Sequence, residues 1–234
     1  MLFDPTYWLV LGPCLLLGLW ANSAVRSTFR EYAQVGVSSG MSGAEAAAAV
    51  ARAGGASVTI ERASGFLSDH YDPRTRTLRL SPEVHDGRSV SAIAVGAHEA
   101  GHAIQDAAGY HWLGLRSALV PAVQFGSRFW TFPLILGLLM QATALGGLLM
   151  LLGIGLLGVT VLFQLVTLPV EFDASSRAKA VLAQAGIART DAERHGVDRV
   201  LGAAAMTYVA GAVTSVATLA YYVMLFLGSQ GRHD

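Results

Sequence analysis

Long apolar runs alternate with stretches of mixed polarity along this chain, and the alternation sets its architecture. Residues 3–21 are apolar apart from Asp4, with Trp8 and Trp20 placed as interface anchors. Residues 145–168 are broken only by Thr160, Gln164 and Thr167, and residues 203–227 form a further Ala- and Gly-rich run. Each is long enough for a helix to cross a bilayer. The run at 129–140 is short for that purpose. A start near Pro121 supplies the missing length, with Arg128 snorkelling to the interface or facing protein. The pattern therefore predicts four transmembrane helices, at 1–24, 117–142, 143–169 and 201–228, with polar regions at 25–116 and 170–200 and a tail at 229–234. The fold class is mainly α: an integral membrane protein with a small α+β domain outside the lipid.

Finer periodicities fill in that domain. Ser42-Gly43-Ala44-Glu45 is a capping box that opens an alanine-rich helix, and Gly54-Gly55 closes it. Val58 to Glu61 reads as a short strand. His70-Tyr71-Asp72, a Pro73–Arg76 turn and the alternating Thr77-Leu78-Arg79-Leu80-Ser81 read as a hairpin. With Leu78 and Leu80 on one side, that last segment fits an edge strand, and Thr77, Leu78, Arg79 and Leu80 become candidates for pairing with an extended peptide. An ordinary hairpin with a charged solvent face fits the pattern equally well. Ser89 is the expected N-cap of a helix whose apolar stripe is Val90, Ile93, Ala94 and Ala97 and whose stop is Gly109. The glycines between 146 and 158 fit close helix packing in lipid better than phosphate binding.

Composition agrees with lipid. The chain has 234 residues, 53% of them hydrophobic and only 14% charged, against about 25% charged in soluble domains. Zero formal net charge gives no electrostatic case for a nucleic-acid partner. Cys14, the lone cysteine, sits in an apolar run and reads as packing. Of sixteen Lys and Arg residues none precedes Arg26, ten lie from Arg26 to Arg128, five from Arg177 to Arg199, and Arg232 is in the tail. The first run lacks a basic leader and is followed by Arg26 and Arg30, which favours an uncleaved anchor over a signal peptide. With four spans, the polar regions share one side, and the basic residues make that side cytosolic, with the N-terminus outside.

Within the domain, His98-Glu99-Ala100-Gly101-His102 carries the chemistry. Residues four apart on a helix point the same way, roughly 5–6 Å between Cβ atoms, so both imidazoles can reach one ion. Glu99 lies beside them but is turned too far to ligate easily. This HExxH spacing is the pattern of zinc peptidases. A catalytic zinc ion needs a third protein ligand and an open position. The candidates on the same side of the membrane are His70, His85, His111, Glu171, Asp173 and His195. Glu171 stands out, because an abrupt carboxylate at a membrane boundary is costly unless it is paired or bound. Asp173 is cast as an acceptor for a ligand imidazole N–H. Spacing alone leaves it open as the ligand in place of Glu171. Gly101 costs the helix about 1 kcal/mol against alanine, which suggests close approach of another segment.

The blocks His98–Ala103, Asp69–Pro73 with Thr77–Ser81, Arg116–Pro121 and Phe163–Ser175 together resemble the YugP-type membrane zinc metallopeptidases over nearly the whole chain. The resemblance implies a neutral zinc peptidase of the bacterial cytoplasmic membrane with a zincin-like domain. A more distant similarity is to HtpX-type proteases, whose third ligand is a glutamate in a Glu-x-x-x-Asp arrangement after a span. Glu171 matches the ligand; Ser175 stands where the aspartate would be.

The expected activity is peptide-bond hydrolysis by zinc-activated water at the cytosolic face, with His98, His102 and Glu171 on one Zn2+ and Glu99 as general base. Tyr208, Arg116, His70 and Tyr71 are unranked candidates for stabilising the oxyanion. The partners are a peptide or protein substrate and the bilayer. Three rivals remain in view. An intramembrane protease is disfavoured by Asp86, Arg88, Gln105 and Asp106 around the motif. A zinc transporter or sensor is disfavoured by spans whose polar residues are mainly Gln141, Thr160 and Gln164. An inactive zinc-bound scaffold is separable only by assay.

Overall fold

The computed structural model describes residues 5–230; Asp4, Arg232 and the end of the predicted tail lie outside the described residues. The chain is mainly helical, with α1 at Pro5–Ala33, α2 at Gly43–Ala53, α3 at Pro82–His85 and α4 at Val90–Ala107. After these come α5 at His111–Phe129, α6 at Thr131–Leu139, α7 at Ala144–Gln184 and α8 at Asp191–Gln230. Three short strands, β1 (Thr59–Arg62), β2 (His70–Asp72) and β3 (Thr77–Leu80), complete the fold.

The chain divides into two compact units. One comprises Ala21–Gly114 and Leu168–Thr207; the other comprises the residues up to Trp20, Leu115–Thr167 and the residues from Tyr208 onward. The first is built around α2 and α4. The Ser42 hydroxyl accepts the Glu45 N–H at 3.2 Å and Glu45 accepts the Ser42 N–H at 2.7 Å, so the capping box forms as read. Ser89 caps α4 by accepting the Ala92 N–H at 3.2 Å. Ala46, Ala47, Val50, Leu78, Leu80, Val84, Ile93, Ala97 and Ala100 are fully buried in one core. Small side chains on both helices allow α2 and α4 to approach closely, and Gly96 meets the Gly43 carbonyl where a Cβ would lie 2.5 Å from it.

The sheet corrects one expectation. Its order is β1-β3-β2, with β1 parallel and β2 antiparallel to β3. Residues 77–80 therefore form the central strand, not an edge, and Thr77, Leu78, Arg79 and Leu80 have no open backbone row for a peptide. The signal was in the side chains: Thr77, Leu78 and Leu80 are all buried, which suits a strand flanked on both sides.

Among the described residues three helices, α1, α7 and α8, are long and apolar enough to cross a membrane. Their ends are not the ends of the apolar runs. α1 continues to Ala33, α7 continues fifteen residues past Pro169, and α8 starts at Asp191 ahead of its apolar stretch. Glu171 consequently sits inside a helix and not at its end. The run expected to form the second span is divided between α5 and α6, with Trp130 between them. In their unit these helices pack against α7 through glycine: a Cβ on Gly137 would lie 2.6 Å from the Met150 nitrogen, and one on Gly153 would lie 2.6 Å from the Leu134 Cβ. Gly146 also makes a close contact, while Gly155 and Gly158 meet open space.

Candidate metal centre

α4 presents its two histidines on one face because they are four residues apart, and their rings sit 4.8 Å apart between centroids. The opposite wall is α7. Gly101 makes that approach possible: a Cβ there would lie 2.4 Å from the Ala174 carbonyl oxygen, so only glycine lets the two helix backbones come so close. The close contact expected at this glycine is thus made, and the neighbour is the helix turn that carries Glu171.

The Glu171 carboxylate lies 3.2 Å from His98 Nε2 and 3.6 Å from His102 Nε2. One donor atom from each of His98, His102 and Glu171 falls within 4.8 Å of the others, the only such group of three or more among the described residues. Glu171 is 2% exposed, and Glu99 and His102 are 8% exposed. Burial opposes ionisation of Glu171, but hydrogen bonds from His102 and His98 and their charge hold it well below the usual carboxylate range. Burial likewise opposes charge on His102, yet Glu171, Glu99 and Gln105 raise its pKa on balance. A buried carboxylate kept ionised between two imidazoles is a setting made for a cation, and the two-nitrogen, one-oxygen set fits zinc.

Around this group the structure changes one assignment. Asp173 does not take an imidazole N–H directly; Gln105 stands between. His102 Nδ1 is 3.0 Å from Gln105 Oε1, and Gln105 Nε2 donates to Asp173 Oδ2 at 2.8 Å and to the Val170 carbonyl at 2.8 Å. Arg177 Nε donates to Asp173 Oδ2 at 2.6 Å, and its guanidinium lies 5.6 Å from the Tyr110 ring centroid. His98 Nδ1 is 3.0 Å from the Ser175 hydroxyl, so serine fills the place of the aspartate in the Glu-x-x-x-Asp pattern. Sequence reading missed Gln105 and Ser175 as partners of the histidines. Their helical spacing was the available signal: Gln105 follows His102 by three residues and Ser175 follows Glu171 by four, each on the face of its neighbour.

The proposed oxyanion donors are scattered. Tyr71 donates its hydroxyl to Asp106 at 2.8 Å, and burial with this bond pushes the phenol pKa up. His70 is exposed on β2, its Nδ1 2.8 Å from the Ser68 carbonyl. Arg116 and Tyr208 belong to the other unit, where the Arg116 guanidinium lies 5.9 Å from the Phe163 ring centroid. In the unit of the motif, Asp69 accepts the Ser81 N–H at 2.7 Å and the Ser81 hydroxyl at 3.0 Å. Burial raises its pKa, its bonds from Ser81 lower it, and the negative charge of Glu99 adds to the rise.

A helix-borne pair of imidazoles, a neighbouring glutamate and a second, buried carboxylate form a donor set of the kind zinc takes. The chain belongs to the family described as "Putative neutral zinc metallopeptidase", which matches residues 7–227. A particular relative is the "Putative membrane protease YugP" of Bacillus subtilis (strain 168), 45% identical over 218 residues that make up 93% of this chain and 95% of that protein. No solved structure matches.

Proposed function

We propose that this protein is a zinc-dependent peptidase working at the cytosolic face of a bacterial cytoplasmic membrane. The observation that carries the reading is the convergence of His98, His102 and a buried Glu171, one donor atom from each within 4.8 Å, beside Glu99 in the chain. His98, His102 and Glu171 would hold Zn2+, and the bound ion would supply an acidified water and a polarised scissile carbonyl. Glu99, beside the first ligand and largely shielded from solvent, takes the proton from the attacking water and passes it to the leaving amine. The substrate class is a peptide or protein chain.

Topology supports the sidedness. His98 and Glu171 can meet only if the chain crosses the bilayer an even number of times between them. With α7 as one crossing, this reading puts a second between residues 115 and 143. The glycine-mediated packing of α5 and α6 against α7 fits a span there, four in all. Arg26 to Arg88 and Arg177 to Arg199 then lie on one side, which the positive-inside rule makes cytosolic.

The test is a pair of substitutions in the full-length protein. Glu99→Gln should keep stoichiometric zinc and lose peptide cleavage, while Glu171→Ala should lose the metal itself. Cleavage surviving in Glu99→Gln overturns the mechanism.

A further inference from the structure

We infer that Gln105 is a positioning residue that locks His102 into the tautomer able to bind metal. The inference rests on the zinc-peptidase reading and adds a residue that the HExxH pattern does not include.

The side-chain amide of Gln105 is fully buried between α4 and α7. Its two ends are chemically different, one donating and one accepting, and its surroundings decide which way it points. Asp173 Oδ2 and the Val170 carbonyl are both acceptors, each 2.8 Å from the same end. A carbonyl has no proton to give, and Asp173 Oδ2 already acts as an acceptor, taking the Arg177 Nε–H at 2.6 Å. That end of the amide must be the NH2 group. The oxygen is then left facing His102 Nδ1 at 3.0 Å. An oxygen acceptor there requires Nδ1 to carry a proton, so in the neutral imidazole, the form that binds metal, the lone pair is on Nε2, the nitrogen on the Glu171 side. Three heavy-atom partners of the amide, with Arg177 behind Asp173, set its orientation.

His98 has no such lock. Its Nδ1 meets the Ser175 hydroxyl, which can donate or accept and so sets no tautomer by itself. Gln105 also ties the helix bearing both imidazoles to the helix bearing the third ligand, since its NH2 group bonds the Val170 carbonyl next to Glu171. One amide therefore fixes a proton on His102 and the register between the ligand-bearing helices. Arg177, with its guanidinium against Tyr110, steadies Asp173 from outside.

The experiment measures zinc affinity of the full-length protein in detergent by competition with a chromogenic chelator, with melting of the metal-free form followed alongside. Gln105→Leu should weaken zinc binding by about 10- to 100-fold, as loss of a group supporting a ligand does, while the metal-free protein still melts cooperatively. Asp173→Asn should give a smaller loss in the same direction, because an amide at 173 no longer demands a donor from Gln105. Asp173 is partly exposed, so this variant decides the matter if Gln105→Leu fails to fold. Native zinc affinity in folded Gln105→Leu, or in Asp173→Asn where that variant must decide, overturns the inference. Failure of the native chain itself to bind zinc would instead sink the peptidase reading.

Discussion

Leu78 at the centre of the sheet is fully buried, whereas Leu139 at the end of α6 is 79% exposed, and the contrast holds across the two units. In the unit carrying the metal centre, apolar side chains turn inward around α2 and α4 and polar groups are matched to named partners. In the other unit Leu9, Leu16, Phe132, Leu139 and Leu148 point outward, and glycines bring helix backbones together. The difference teaches that the solvent decides what an apolar residue is for. Where water surrounds the unit, burial is the driving force; where lipid does, exposure costs nothing and close backbone packing holds the helices together.

The sharpest way to break this comparison is to make the same truncation in both places. Leu78→Ala should destabilise the metal-centre unit by about 2–5 kcal/mol, while Leu139→Ala should change stability by less than about 0.5 kcal/mol. Thermal melts of the purified protein in detergent check both, and equal effects would erase the distinction. Next in size is Glu193, which stands ahead of the apolar stretch of α8 and outside the lipid-crossing segment. It accepts the backbone N–H groups of Ser38 and Arg189 at 2.6 Å and of Thr190 at 2.9 Å. Burial raises its pKa, but these N–H donors outweigh that and hold the carboxyl at about 2. A depressed carboxylate pKa contributes stability above its unfolded value near 4.5, and that contribution fades as pH falls toward 2. Glu193→Gln should therefore cost about 1.5–3 kcal/mol at neutral pH. Native and variant melting temperatures should converge between those two pH values. The smallest of the three destabilising effects is expected at Gly153, in the lipid-facing unit. Gly153→Ala places a Cβ 2.6 Å from the Leu134 Cβ and should cost about 1–3 kcal/mol through overpacking. Gly155→Ala, with nothing within 4 Å, is its control in the same melt and should be neutral or mildly stabilising.

What could be read in the sequence was what repeats at fixed spacing. The capping box at Ser42 and Glu45, the Ser89 cap, the His98–His102 pair and the three longest apolar runs each follow a helical or bilayer period, and each forms. Glu171 was legible because a carboxylate at the edge of an apolar run needs a reason. Strand order was not, since the parallel pairing of β1 with β3 joins segments whose separation carries no period. Helix ends were misplaced for a related cause: hydropathy marks where lipid gives way to water, while α7 continues unbroken through that change. Gln105 escaped because a lone amide in a helix has no motif, and its partners at Val170 and Asp173 come from a distant part of the chain.

The continuity of α7 couples two lengths that other designs could vary separately. Its apolar stretch must match the thickness of the bilayer, and its Glu171 must meet the imidazoles of α4. One inserted residue anywhere between them would turn the carboxylate by about 100° and advance it about 1.5 Å, enough to point it out of the site. A chain of this kind can adapt to a thicker or thinner membrane by exchanging side chains, but not by adding or removing them.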